Sequence, residues 1–238
     1  MTYAQRWWRR PWMAPLGFLV IAFLAFSLPP YLSLDRAQAR VQSPWEWHYP
    51  LLVAHVLVGS VAMVTCFLQI WPWFRRRHWT AHRRIGRVYV FGGALPAGVV
   101  GLVLGATTPF GPVLQVSNIV MALLWLTCTV TGYVMVRRGR YAEHRRWMIR
   151  SFALTMSIIL NRFVAVAAVI VLSPELDRTF AGNETWMVQS IAGITGWLSW
   201  VLALLAAEWW LERRPLPAEP GLSTTDRLAS QVSETAVY

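Results

Sequence analysis

The chain has 238 residues, of which 56% are hydrophobic and only 14% charged, and its mean hydropathy is +0.42. This composition is too apolar for an ordinary soluble domain and is typical of a membrane protein. The formal net charge of +11 at pH 7 raises nucleic-acid binding as an alternative, but the arginines are gathered in short blocks at the ends of apolar runs. Such blocks indicate membrane topology, and we expect no nucleic-acid partner.

Six apolar runs of about 20 residues predict six transmembrane helices, because a helix of that length crosses the hydrocarbon core. The predicted spans are residues 14–34, 50–73, 86–105, 113–136, 151–172 and 186–210. A basic cytoplasmic segment, 1–13, precedes them, and a polar, proline-containing tail, 213–238, is predicted to be disordered and cytoplasmic. The predicted fold is therefore all-α, a polytopic six-helix transmembrane bundle formed by residues 14–212.

The first apolar run has a second interpretation, a cleaved signal peptide. Ala37, Gln38 and Ala39 form the small-x-small pattern of a cleavage site. This pattern lies rather far beyond Pro29 and Pro30 for a usual cleavage region, which favours a retained helix. The sequence alone leaves both interpretations open.

Two basic blocks, residues 75–87 and 137–150, predict the orientation of the chain; they are named here the first and second arginine blocks. The connection after residue 172 has the opposite character and carries Glu175, Asp177 and Glu184. By the positive-inside rule, both arginine blocks and both termini are predicted to be cytoplasmic.

The second arginine block repeats the first, which predicts an internal duplication of a helix pair. At one constant offset, identical residues occur at Thr65 and Thr127, Cys66 and Cys128, Arg75 and Arg137, His82 and His144, Arg83 and Arg145, and Arg84 and Arg146. The second and third spans would then be related to the fourth and fifth as parallel repeats about an axis along the membrane normal. This symmetry places the two repeated histidines at matching depths.

The repeated histidines and their arginine neighbours are candidate functional residues at the predicted cytoplasmic face. Topology alone explains His82 and His144 poorly, because a titrating imidazole is a poor permanent anchor. One interpretation is a haem b site with paired histidine ligands and arginines on the propionates. Another is an anionic lipid or phosphorylated ligand, and a third gives the arginines a purely topological role. The arginines are Arg83, Arg84, Arg87, Arg145, Arg146 and Arg150.

A second polar set is predicted in the outer half of the membrane. Arg162, preceded by Asn161, lies about midway along the fifth predicted span, where a charge costs at least about 2.5 kcal/mol. Such a charge marks a binding site by default, and the alternative is that buried amides and carbonyls satisfy it. Polar residues at comparable depth predict a shared pocket, namely His55, Gln115, Asn118, Gln189 and Ser190.

His55 is a third candidate haem ligand, although a lone buried histidine is more often a hydrogen-bonded structural residue. The other histidine in the outer half is His48 in the flanking loop, and Met121, Met135 or Met156 are weaker alternative partners. The sequence contains no nucleophile motif, phosphate-binding loop, zinc motif or paired carboxylates. No catalytic residue is therefore assigned, and no metal other than a haem iron is considered.

The runs that begin at His82 and His144, with His55 upstream and Arg162 downstream, resemble an uncharacterised bacterial integral-membrane family, domain-of-unknown-function group 2306. The resemblance covers the second to fifth spans and the start of the sixth. It implies a multi-pass protein of the bacterial inner membrane and places these four residues at family motif positions, without a known substrate. A looser similarity to multi-helix b-type cytochromes depends only on histidines placed on bundle helices.

Two hypotheses of function follow. The first is a haem- or quinone-linked membrane redox protein. The second is a binding or transport protein for an anionic or amphipathic small molecule or lipid, with the bilayer and its anionic headgroups as partners. A purely structural membrane role is the third alternative.

Overall fold

The computed structural model describes residues 12–41 and 45–213, and these ranges are helical with no β-strand. The predicted all-α fold is confirmed for them. The helices are α1 (Met13–Ser27), α2 (Pro29–Leu32), α3 (His48–Ile70), α4 (Pro72–Arg77), α5 (Trp79–Arg87), α6 (Leu95–Ala106), α7 (Pro112–Arg137), α8 (Tyr141–Leu172) and α9 (Glu184–Glu212). The predicted basic segment as far as residue 11 and the predicted tail from residue 214 lie outside the described residues.

Five helices in the described ranges are long and apolar enough to cross a membrane. They are His48–Ile70, Trp79–Ala106, Pro112–Arg137, Tyr141–Glu175 and Glu184–Glu212, and they correspond to the second to sixth predicted spans. The helices extend beyond the apolar runs. Tyr141 begins α8 ten residues before the predicted span starts, so most of the second arginine block is helical.

The first apolar run forms a shorter helix than its length predicts. Helix α1 ends at Ser27 after 15 residues, fewer than the roughly 20 that a span needs. Pro29 and Pro30 follow, and because neither has an N–H group they interrupt the hydrogen-bond ladder before α2. Helix length therefore does not establish the sixth span, which stays a prediction.

The span Trp79–Ala106 contains a π-helical segment, Val88–Ala94, between α5 and α6. The N–H group of Leu95 donates to the carbonyl of Val90, five residues back. Pro96 gives the reason, because in a regular α-helix its ring would collide with the carbonyl four residues earlier and no N–H would satisfy that carbonyl. Wider π-type hydrogen bonds are one way in which membrane helices accommodate proline.

Small residues on this span allow close packing against α3 and α7. A Cβ atom at Gly93 would lie 2.7 Å from the Cα atom of Ala62 on α3. A Cβ atom at Gly105 would lie 2.8 Å from the Cβ atom of Asn118 on α7. Both distances are too short for real atoms, so glycine sets how closely these helices approach each other.

Hydroxyl groups, and not only apolar side chains, occupy the centre of the bundle. The Tyr89 hydroxyl lies 2.5 Å from Ser151 Oγ and 3.0 Å from Thr155 Oγ1. Ser151 Oγ is also 2.7 Å from Thr129 Oγ1, and Trp125 Nε1 donates to the Tyr89 oxygen at 3.4 Å. Since a buried hydroxyl in a membrane needs protein partners, this network fixes the π segment against α7 and α8.

Candidate functional site

The two arginine blocks lie at one end of the bundle, named here the arginine-rich end. His82 on α5 and His144 on α8 are close enough there for their imidazoles to interact electrostatically. His144 Nδ1 is 2.7 Å from the carbonyl oxygen of Gly132, and because a carbonyl only accepts, Nδ1 carries the proton. His82 Nδ1 is buried and has no hydrogen-bond partner in the described part of the chain, while its ring stacks on Trp79.

The six candidate arginines at this end have different environments. Four are exposed, namely Arg83, Arg84, Arg87 and Arg145. Arg146 is half-buried and close enough to Glu208 on α9 for an electrostatic interaction. Arg150 donates two hydrogen bonds to Glu208, at 2.5 and 2.9 Å, and lies over the ring of Trp147. Arg150 therefore joins α8 to α9, and its guanidinium is paired with the carboxylate of Glu208.

His55 lies away from this end and contacts a neighbouring helix. Its Nδ1 atom donates to the carbonyl oxygen of Ala97 at 3.0 Å, which connects α3 to α6. A Cβ atom at Gly101 would lie 3.1 Å from His55 Cε1, so the ring is packed against the helix backbone. This geometry corresponds to the structural alternative for His55, and it does not bring His55 to either of the other candidate haem ligands.

A cavity of about 420 Å³ lies between α7, α8 and α9 in the half of the bundle away from the arginine-rich end. Its walls are mostly apolar, and its volume lies within the range of small-molecule sites. Six polar residues line it, namely Asn118, Ser157, Asn161, Arg162, Thr195 and Ser199. Three residues of the predicted outer set, Asn118, Asn161 and Arg162, are therefore brought together.

Most polar groups in the cavity already have partners on the helices. Asn161 Nδ2 donates to the carbonyl of Thr195 at 3.1 Å, and the Ser157 and Ser199 hydroxyls donate to carbonyls of their own helices. Arg162 differs, because its guanidinium forms no hydrogen bond or salt bridge with any residue of the ranges 12–41 and 45–213. The charged donor group in this cavity therefore has no protein acceptor in the described ranges, and the Asn118 amide shows no side-chain hydrogen bond there either.

The remaining residues predicted for the outer pocket lie outside this cavity. Gln115 donates to the carbonyl of Ala106, and the Gln189 side chain packs against Gly111. Ser190 donates to the carbonyl of Trp186 at 2.8 Å. These side chains satisfy backbone carbonyls or pack near helix ends instead of facing Arg162.

The sequence interpretation missed three residues that line the cavity, Ser157, Thr195 and Ser199. A periodicity signal was present, because Ser157 precedes Asn161 by four residues and Thr195 precedes Ser199 by four. Residues four apart share one face of a helix. Both polar pairs therefore mark the helix faces that meet at the cavity.

Comparison with known proteins supports the membrane assignment. No curated protein and no solved structure matches the chain. The family model DUF2306, described as a predicted membrane protein, matches residues 52–211, which contain His55, His82, His144 and Arg162. Because this match covers more than half of the chain and confirms the resemblance, the protein belongs to the DUF2306 family of predicted membrane proteins.

Proposed function

We propose that this protein binds an amphipathic anion, with the charged head group at Arg162 and the apolar part in the cavity between α7, α8 and α9. The observation that carries this proposal is a guanidinium that lines a mostly apolar cavity without a protein acceptor among the described residues. A charge in this position costs at least about 2.5 kcal/mol. An anionic ligand offsets that cost through charge-assisted hydrogen bonds.

The walls of the cavity favour binding over passage through the protein. Trp200 lines the cavity, is buried, and donates from Nε1 to Ser117 Oγ at 3.0 Å. Trp200 also packs against Trp125 and Leu154 in the apolar core of the bundle. This core lies on the side of the cavity that faces the arginine-rich end. The cavity therefore ends at packed side chains within the bundle, as expected of a binding site for the tail of an amphiphile.

The proposed orientation places both arginine blocks and both termini in the cytoplasm of a bacterium, with the cavity in the outer half of the inner membrane. We also propose that α1 and α2 together form a retained sixth span. Leu28 between them has helical dihedral angles, φ −74° and ψ −42°, so the helix direction continues through the proline pair. Residues 13–32 then have about the length that a span requires.

Contacts between corresponding residues support the proposed duplication. Tyr89 and Ser151, which are 62 positions apart, share a hydrogen bond at the centre of the bundle. His82 and His144 have the same separation and interact at the arginine-rich end. In a two-fold arrangement, corresponding residues meet only near the symmetry axis. His82 precedes Tyr89 by seven residues and His144 precedes Ser151 by seven, which is about two helical turns in each case. The histidine contact and the hydroxyl contact therefore follow each other along one axis, as a two-fold axis requires.

A haem- or quinone-linked redox role is the second candidate function. The favourable observation is the proximity of His82 and His144, together with the unpartnered Nδ1 atom of His82. His55 does not add to this site, because it is bonded to α6. Purified protein without Soret absorbance after haem-replete expression would exclude the haem form.

We further propose that the exposed arginines bind anionic headgroups at about 1 kcal/mol each.

Native mass spectrometry with an alkyl anion tests the primary function. Decanoate is titrated against the full-length protein and the Arg162→Ala variant, and we expect a 10- to 100-fold loss of affinity, because a hydrogen bond to a charged group contributes about 1.5–3 kcal/mol. Arg178→Ala is the matched control, since Arg178 is highly exposed beyond α8 and close to Glu175. Equal binding by the Arg162 variant and the wild-type protein would refute the proposal.

A further inference from the structure

The Arg162 side chain lies near a second part of the chain, the segment that follows α2. Helix α1 packs against α8 through Val20 and Ile159, and Ile159 lies three residues before Arg162. Arg162 is close enough to Tyr31 and Arg40 to interact electrostatically with both. Arg162 therefore lines the cavity and also lies near the segment that follows α2, whose residues do not line the cavity themselves.

The Arg40 guanidinium is held in place without a carboxylate. It donates to the carbonyl of Phe26 at 2.6 Å and lies 3.6 Å above the ring centroid of Phe26. The acidic residues between α2 and α3 are Asp35 and Glu46. The Asp35 carboxylate accepts from the Ala37 N–H and the Gln38 side chain, and neither residue forms a salt bridge with Arg40 in the described part of the chain. Arg40 and Arg162 thus form a pair of like charges with no salt bridge to either in the described part of the chain.

Two tyrosines pack in one cluster, and one of them, Tyr31, lies close to both arginines. Tyr31 is buried, and its hydroxyl lies near the backbone N–H of Arg40. Tyr49 packs in the same cluster, and its hydroxyl is buried without a hydrogen-bond partner among the described residues. A buried hydroxyl without a partner is rare in folded proteins and indicates a missing acceptor.

We propose that the head group bound at Arg162 is a phosphoryl group, held between Arg162 and Arg40 with the Tyr49 hydroxyl as a further donor. This inference rests on the proposed function and narrows its ligand to a phosphomonoester with an alkyl tail. A phosphomonoester carries about −1.5 to −2 charges and three terminal oxygens, which satisfy two guanidinium groups. A carboxylate carries one charge and leaves the repulsion between the two arginines partly uncompensated.

Parallel titrations of the full-length protein with decyl phosphate, decanoate and inorganic phosphate, followed by native mass spectrometry, test this proposal. We expect wild-type protein to bind decyl phosphate about tenfold more tightly than decanoate, and inorganic phosphate much more weakly than either. Arg40→Ala should abolish the preference for phosphate while leaving decanoate affinity nearly unchanged. Tyr49→Phe should weaken decyl phosphate binding severalfold, and Arg162→Ala should weaken the binding of both amphiphiles.

The outcomes separate this inference from the proposed function. Equal wild-type affinities for decyl phosphate and decanoate would overturn the phosphoryl assignment and leave the proposed function intact. Binding of neither amphiphile would overturn the proposed function itself, and equal affinities for inorganic and decyl phosphate would overturn the role of the tail. If Arg40→Ala does not fold, Arg40→Gln removes the charge and keeps a polar side chain of similar length. An unchanged preference in that variant would also overturn the inference.

Discussion

The interface of α3 with the span Trp79–Ala106 and the region between α7, α8 and α9 differ in how their buried polar groups are satisfied. In the first region, Gly93 sits directly on Ala62, and His55 is satisfied by the carbonyl of Ala97. In the second region, the helices leave a cavity, and Arg162 has no acceptor among the described residues. A polar residue inside a span therefore does not identify a site by its presence alone. A charged group that lacks a partner beside a cavity is the stronger indication of one.

The largest expected effect concerns the tight interface of α3 with the span Trp79–Ala106. Gly93→Ala places a Cβ atom 2.7 Å from the backbone of Ala62, and we expect a loss of about 3 kcal/mol in the free energy of unfolding. Equilibrium unfolding in detergent micelles measures it. Gly59→Ala is the control, because a Cβ atom there meets nothing within 4 Å, and its effect should stay below about 0.5 kcal/mol. A Gly93 variant as stable as wild type would contradict the close packing.

The next largest effect concerns the connection between α8 and α9 below the cavity. Arg150→Ala leaves the Glu208 carboxylate without its bidentate partner, and we expect a loss of about 2 kcal/mol in unfolding free energy, because the Arg150 side chain is only 19% exposed. The double variant Arg150→Met with Glu208→Leu should recover most of this loss.

The exposed pair of Arg140 and Glu143 supplies the control for this measurement. Its arginine side chain is 54% exposed, so Arg140→Ala should change the free energy of unfolding by less than about 0.5 kcal/mol. Equal effects of Arg150→Ala and Arg140→Ala would show that the link between α8 and α9 adds no more than a surface ion pair.

The smallest effect concerns the hydroxyl network between the two regions. Tyr89→Phe removes the hydroxyl that contacts Ser151 and Thr155, and we expect a loss of about 1 kcal/mol in unfolding free energy. Tyr133→Phe is matched in chemistry, because the Tyr133 ring packs on Phe91 while no hydrogen bond of its hydroxyl occurs in the described residues. If the two variants lose equal stability, the network does not hold the helices together.

The all-α fold and the five long spans were predictable because an apolar run must be long enough to cross the hydrocarbon core of the membrane. Helix ends were less predictable, since α8 begins at Tyr141 within charged sequence that is helical but not apolar. Proline shortened the first helix below the length of its apolar run. The length of an apolar run therefore predicts which residues lie in the membrane more accurately than it predicts where the helix begins and ends.

The candidate site was only partly predictable, because depth and facing direction are separate properties. Arg162 was identifiable from its charge alone, and its neighbour Asn161 lines the same cavity. Gln115 and Gln189 have the right depth but bond to or pack against the chain near helix ends. The partner of Arg150 could not be predicted for the same reason. The rotation of α9 about its own axis brings Glu208 to Arg150, and the sequence does not give that rotation.

The central claim is that an anionic amphiphile lies with its head at Arg162 and its tail in the cavity. Photo-crosslinking with an alkyl phosphate that carries a diazirine in its tail tests this claim directly. We predict that peptide mapping places the adducts on cavity residues such as Met121 and Ala192, and that Arg162→Ala abolishes them. Adducts confined to exposed side chains outside the cavity, such as Phe18 and Val99, or adducts unchanged by Arg162→Ala, would contradict it.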